Sequence, residues 1–225
     1  MKYLLHCIFA SGADLPPSVT PFGVSIVDAH ALRAAISCLN ESKLPLDVGR
    51  LLAYEKVVAA FHERQPVIPL RYGCTMENEA AIRRLLEENC EEYQRLLRHF
   101  EGMVEMGLRI LVGNRQKPQA SHSHGNAPTT PGAAYLASLR KQHAAETRLT
   151  EEEQALETEI CTTLAGLYAR QRGEASTIEG ARLLSLFFLV PRTSVAWFAK
   201  RLEDFQSWRV AKFLLSGPWP PYNFV

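Results

Sequence analysis

Residues 75–112, TMENEAAIRRLLEENCEEYQRLLRHFEGMVEMGLRILV, change their hydrophobic period partway along, and that change decides the fold class. Thr75, Glu77 and Glu79 mark a helix start. Ile82, Leu85, Leu86, Cys90, Tyr93, Leu96, Leu97 and Phe100 then recur at helical spacing, which predicts one amphipathic helix up to Phe100. Beyond Gly102 the period becomes two: Val104, Met106, Leu108, Ile110 and Val112 alternate with Met103, Glu105, Gly107, Arg109 and Leu111. That is a strand with one apolar and one mixed face. The face bearing Glu105 and Arg109 is left to meet the second half of the chain or a partner.

Upstream, Met1–Phe9 is apolar on both alternating sets, as a central strand covered on both faces requires. It lacks the long apolar core and cleavage site of a leader, so it reads as the first strand. Ser11–Pro21 reads as a loop, and Phe22–Val27 with Leu32–Leu39 as a strand pair turning near Asp28-Ala29-His30. Asp47 is placed to cap a helix whose stripe is Val48, Leu51, Leu52, Val58, Ala59 and Phe61, with Glu55 and His62 intruding on it. Val67–Gly73 is β-like, but Pro69 lacks a ladder donor, so it is an edge strand or a bulged one. Ile68, Leu70 and Tyr72 point one way and Arg71 the other, which argues against a simple Glu55–Arg71 pair and leaves the partner of Arg71 open. The order β, ββ, α, β, α, β suggests a ferredoxin-like variant with helices on a mainly antiparallel sheet.

Downstream, residues 113–130, GNRQKPQASHSHGNAPTT, hold turn formers and almost no apolar residue, the composition of a flexible linker. Pro131 to about Arg172 reads as one long helix or a helical pair, with Thr150 before Glu151, Glu152 and Glu153 as a second start if it breaks. The charged middle, Lys141–Gln154, is a solvated face or a helix projecting towards a partner. Ala181–Val190 is a buried strand ended by Pro191, Val195, Phe198, Leu202 and Phe205 lie on one face of a short helix, and Trp208–Leu215 is a further strand. The expected fold class is therefore α+β in two domains: 1–112, ferredoxin-like, and 131–225, smaller, with a long helix and an aromatic arm.

Composition narrows the function. A formal net charge of +1 gives no electrostatic footprint for nucleic acid, and no K/R-G-F-G-F run is present, which counts against an RNA-binding module. The longest nearly unbroken apolar run, Leu183–Val190, is less than half the roughly 20 residues of a spanning helix, so no membrane partner is expected. Cys7, Cys38, Cys74, Cys90 and Cys161 are odd in number and lack C-x-x-C spacing, as buried thiols of a reducing cytoplasm would. His122 and His124 have no nearby acid or cysteine to complete a metal shell, and no metal or cofactor is expected. Enzyme signatures are absent, so no catalytic residue is assigned. The alternative is a small-molecule enzyme using Glu55 and His62 as acid and base, weighed against a structural role for both.

The C-terminus, Leu214-Leu215-Ser216-Gly217-Pro218-Trp219-Pro220-Pro221-Tyr222-Asn223-Phe224-Val225, is unusually rich in rings and prolines for a chain end. Gly217 and Pro218 are expected to break the preceding element, and Pro220-Pro221 to hold a stiff extended arm. Trp219, Tyr222 and Phe224 either plug the chain's own core or bind a partner.

This arm, together with Pro69-Leu70-Arg71-Tyr72-Gly73 and Pro131-Gly132-Ala133-Ala134-Tyr135-Leu136, resembles the gas vesicle protein family GvpF/GvpL over nearly the whole chain. The family phrase is close to G-P-W-P-P-Y-S-F, with Asn223 here where serine is usual, and Tyr72 stands where phenylalanine is frequent. Glu55 sits where the family tends to have glutamate. The resemblance implies a two-domain α+β fold and a non-enzymatic minor structural or assembly protein of gas vesicles. It implies binding to the small hydrophobic shell protein and to other vesicle proteins, at the vesicle's gas-facing surface or during assembly, within a prokaryotic cytoplasm. The interaction candidates it marks are Arg71, Tyr72, Gly73, Tyr135, Gly217, Pro218, Trp219, Pro220, Pro221, Tyr222 and Phe224.

Overall fold

In the computed structural model of the protein, residues 2–12, 16, 23–39, 47–114, 149–178, 181–207 and 213–225 are described. The expected linker beyond Asn114 and the helix opening at Pro131, with Gly132, Tyr135 and Leu136, lie outside them. So do most of the loop after Gly12, and residues 208–212 of the last expected strand. The chain forms two compact units. One comprises Met1–Glu105, Leu189–Arg192 and Gly217–Val225, the other Met106–Phe188 and Thr193–Ser216. The C-terminal arm thus belongs to the first unit, where a sequence reading assigns it to the domain 131–225. Its polar groups find their partners in the first unit, as set out below.

The first unit is built on β1 (Lys2–Ala10), flanked by β3 (Leu32–Leu39) on one side and by β4 (Ile68–Pro69) and β5 (Thr75–Met76) on the other. β2 (Val24–Ala29) pairs antiparallel with β3 from Val24↔Ser37 to Ala29↔Leu32, around a turn at His30 and Ala31. β1 and β3 run from Lys2↔Leu39 to Ala10↔Leu32 with a register shift between Leu5 and Cys7. That shift puts Leu4, Cys7 and Phe9 into one cluster with Ala35 and with Tyr54, Val57, Val58 and Phe61 of α1 (Val48–His62). Leu5 and Ile8, outside that cluster, are equally buried, so β1 is covered on both faces as its sequence requires. Pro69 sits on the edge, where its missing N–H costs no ladder bond.

Three expectations change here. The inward stripe of α1 is Tyr54, Val57, Val58 and Phe61, while Val48, Leu51 and Leu52 are exposed. Asp47 does cap α1, accepting from the backbone N–H of Gly49 and Arg50. The expected helix from Thr75 to Phe100 is two: α2 (Glu79–Glu88), capped by Asn78 because Thr75–Met76 pairs with β1, and α3 (Cys90–His99). The break is at Asn89, whose carboxamide donates to the Leu85 carbonyl at 2.8 Å and competes with the backbone for it. Finally, β6 (Met103–Asn114) does not join the first sheet, because both sides of β1 are already taken.

β6 instead lies in a second sheet of order β7-β8-β6-β9, made with β7 (Arg170–Ile178), β8 (Ala181–Pro191) and β9 (Phe213–Trp219). The described fold is α+β, with two antiparallel sheets. Two helices, α4 (Glu151–Thr163) and α5 (Val195–Gln206), lie against each other in the second unit. The core there includes Leu108, Ile160, Leu164, Leu186 and Phe188, with Phe188 edge-on to Tyr168 and Phe198. A Cβ at Gly107 would lie 2.9 Å from the Ser216 hydroxyl, which donates to the Gly107 carbonyl, so a side chain there would force that hydroxyl to turn away.

The helix expected to run to about Arg172 ends at Thr163, and Gly166 (φ 80°) begins the turn towards β7. β7 has only Ala175 buried, because it is the sheet's edge. β9 continues through Gly217 and Pro218 to Trp219, although these residues read as a break. An edge strand tolerates proline because its outward side needs no donor.

Thr150 starts α4 with a full capping box, its hydroxyl accepting from the Glu153 N–H and its own N–H donating to the Glu153 carboxylate. The same carboxylate takes two bonds from Arg182, Nε to Oε1 at 2.7 Å and Nη2 to Oε2 at 3.1 Å, with both side chains buried. Burial alone would raise the Glu153 pKa, but the hydrogen bonds from Arg182 and Thr150 and the guanidinium charge outweigh it. The net value lies below the ordinary 4.5. Arg182→Met leaves this carboxylate buried without its cation and is expected to cost about 3–5 kcal/mol in chemical unfolding at pH 7. In the wild type this contribution is complete above pH 4.5 and is lost as pH falls through the lower folded value; the variant should lack that slope.

Candidate functional site

The end of the chain is fastened to the first unit by two carboxylates. After Trp219, Pro220 and Pro221 are buried and lead into a tight turn, in which the Tyr222 N–H donates to the Pro220 carbonyl at 2.8 Å. The Tyr222 hydroxyl donates to Glu55, 3.2 Å from Oε2 and 3.3 Å from Oε1, and its ring packs against the α1–β1 cluster. The Asn223 backbone N–H donates to Glu105 Oε2 at 2.8 Å and its carboxamide to Oε1 at 2.6 Å. Glu105 is 4% exposed, so these bonds replace water for a buried acid. Phe224 follows inwards at 6% exposure, whereas Trp219 is 48% exposed.

The three rings of the arm therefore divide. Tyr222 and Phe224 serve the protein's own core, and Trp219 is presented to the surroundings. The mixed face of β6 is not wholly free: Glu105 is spent on the arm, while Arg109 and Leu111 are exposed.

The stretch Arg71-Tyr72-Gly73 forms the turn between β4 and β5. Gly73 has φ 105°, which a side chain would resist. The Cys74 N–H donates to the Arg71 carbonyl, and the Arg71 side chain is exposed. Tyr72 packs edge-on to Tyr54 at 5.3 Å. Tyr54 donates to the Leu70 carbonyl at 2.6 Å and stacks on His6, whose Nε2 lies 2.8 Å from the Ser37 hydroxyl. These groups line a cavity of about 250 Å³ beside α1. Sequence reading passed over Tyr54 and His6; the spacing of Tyr54 to Val57, Val58 and Phe61 was the available signal for Tyr54. Tyr135 lies outside the described residues.

Glu55 and His62 are not brought to one site. Seven residues of helix separate them by about 10 Å of rise, and their surroundings differ. Glu55 holds Tyr222, while His62 is buried at the far end of α1 and its pKa is lowered to about 4 by burial and by Arg192. Burial raises the Glu55 pKa above the ordinary 4.5, partly offset by the Tyr222 hydrogen bond. Among the described residues, no cluster of three or more His, Cys, Asp or Glu side chains is placed to hold a metal, and His122 and His124 lie outside them. No helix among these residues is long and apolar enough to cross a membrane.

Comparison with known proteins adds to this geometry. The family described as gas vesicle synthesis protein GvpL/GvpF matches residues 3–225. Gas vesicle protein L of a Streptomyces species is 28% identical over 183 residues, covering 77% of this chain and 67% of the relative. Gas vesicle protein F of the same strain is 26% identical over 224 residues, covering 91% and 89%. The crystal structure of GvpF from an Anabaena species has the same fold, with a TM-score of 0.72 at 17% identity over 99% of this chain and 95% of that one. GvpF from Microcystis aeruginosa gives 0.67 at 15% identity, over 99% and 98%.

Two variants test the seat. Asn223→Ala keeps the backbone bond but removes the carboxamide bond to Glu105 Oε1, a hydrogen bond to a charged group, and is expected to cost about 1.5–3 kcal/mol in urea unfolding. Asn223→Ser, which restores a hydroxyl donor, should recover part of that loss. Glu55 has a raised pKa, so its contribution is complete below pH 4.5 and is lost as pH rises through the folded value. Glu55→Gln, neutral at every pH and still able to accept from Tyr222, should be more stable than the wild type at pH 8. Its thermal stability should also vary less between pH 4.5 and 8.

Proposed function

The chain belongs to the gas vesicle GvpL/GvpF family and so has a role in gas vesicle assembly; from that premise we propose that it acts there without catalysis, as an adaptor for the hydrophobic shell protein and other vesicle proteins. The observation that carries this reading is Trp219: an indole held half-exposed at the end of a strand, with the next five residues fastened beneath it. A ring offered on a fixed backbone loses little freedom on binding, which is what an aromatic interface anchor needs. The same unit exposes Val48, Leu51 and Leu52 on the first turns of α1, a further apolar surface. Apolar surface of this kind suits a partner whose own strands and apolar faces must be shielded until they enter the shell. Its place is the vesicle, during assembly or at the gas-facing side, where apolar contact is favoured.

The test is co-purification with the shell protein from cells expressing both, comparing the intact chain with Trp219→Ala. The variant is expected to keep the wild-type Tm, since the ring is half-exposed, and to retain less than about a tenth of the partner, the loss typical of an aromatic anchor. Retention in high salt separates apolar contact from charge attraction. A folded intact chain that captures no shell protein would overturn the adaptor reading, and undiminished capture by Trp219→Ala would remove the arm from it.

A further inference from the structure

The second sheet ends on a long open edge. β7 runs for nine residues at one end of the order β7-β8-β6-β9, and among the described residues no strand pairs with its outer side. The other edges are blunted. β9 carries Pro218, which has no N–H to offer; β4 and β5 are two residues each; and β2, six residues long, lies against α2. β7 has no proline and no lysine, and only Ala175 in it is buried. A long edge of unpaired backbone groups is a template for another strand.

The side chains of β7 determine which strand fits. Gly173 faces Leu186 and lies beneath Glu157 of α4, and Ala175 is buried, so these two look towards the helices. Arg172, Glu174, Ser176 and Ile178 alternate with them and stand on the bare side of the sheet, where Ile178 is 56% exposed. Along that side the charge runs from basic to acidic, Arg170 and Arg172 before Glu174, all three exposed. A second β7 laid antiparallel with a two-fold axis at Gly173 sets Arg172 opposite Glu174 of the second copy, and Glu174 opposite Arg172 of the second copy. Each face must stay on its own side, so the register can change only in whole pairs. The next register one way sets Arg172 on Arg172, and the next the other way sets Glu174 on Glu174. Like charges directly opposite are destabilising, which leaves the axis at Gly173. Two residues without side chains then meet at the centre.

We propose that two copies of this chain associate through β7, antiparallel about Gly173, joining two four-stranded sheets into one continuous sheet. The interface is isologous, each chain offering the same strand to the other. It is also modest. The ladder is about 30 Å long, and the Glu157 carboxylate over Gly173 in each copy opposes the approach. The dissociation constant is therefore expected on the order of tens of micromolar, as suits a small interface. The pairing rests neither on Trp219 nor on the shell-protein reading.

The test is sedimentation equilibrium of the full chain, carried to about ten times that concentration. A monomer–dimer equilibrium is expected. Arg172→Glu and Glu174→Arg each place like charges opposite one another twice, and each should weaken the dimer about tenfold. The double exchange, Arg172→Glu with Glu174→Arg, restores both pairs and should return the constant to within about threefold of the wild type. Both positions are exposed, so all three variants should keep the wild-type Tm. A chain that stays monomeric throughout, single variants that dimerise as tightly as the wild type, or a double exchange no tighter than the single ones would each overturn the proposal.

Discussion

The grip of Glu105 on Asn223 is the constraint on which the ends of this fold depend. It ties the first strand of the second sheet to a residue 118 positions later, through two hydrogen bonds to a 4% exposed carboxylate. A buried acid without donors is costly, and the arm supplies two to Glu105. Pro220 and Pro221 reduce the freedom the chain must lose to reach that seat, since proline restricts the unfolded chain as well as the folded one. The Tyr222 hydroxyl on Glu55 adds a second fastening from α1, and the burial of Phe224 a third.

The two carboxylates do different work. Glu105 meets two donors on one residue, which suits an acid kept from water. Glu55 meets a single phenol, and its raised pKa shows that one neutral donor does not compensate for lost hydration. Tyr222 is pushed in the same direction by burial and then by the Glu55 charge, so the phenol remains a donor throughout the physiological range. The Tyr222 hydrogen bond itself favours the ionised Glu55, so it is the burial of this carboxylate and not the contact that opposes its charge.

Much of this was legible where one physical signal acted alone. The doubly apolar β1, the β2–β3 pair, the Asp47 cap and the buried run of β8 follow from period and capping chemistry. The reading failed where two signals competed. Asn89 interrupts an apolar stripe that continues across it, because a local carboxamide bond acts without altering the period. β7 is almost all polar and shows no alternation, because an edge strand needs only its backbone partners on one side. Val48, Leu51 and Leu52 share the helical spacing of the true stripe but are exposed, so spacing alone could not tell a core face from an outward apolar one. At the site, the arm was recognisable from its rings and prolines, but Glu105 was not. A lone acid on an alternating strand looks solvent-facing unless its donors are known, and these are supplied from the far end of the chain.

The division among the rings then has a physical reason. An aromatic on a frayed terminus must be ordered when it binds, and that loss subtracts from affinity. Here the ordering is completed during folding, by Glu55, Glu105 and the core around Phe224, all beyond Trp219 in the chain or beneath it. The arm's inward residues and its outward ring are therefore not competing explanations of one motif. The first fix the backbone, and a fixed backbone is what lets a half-exposed indole act as a contact.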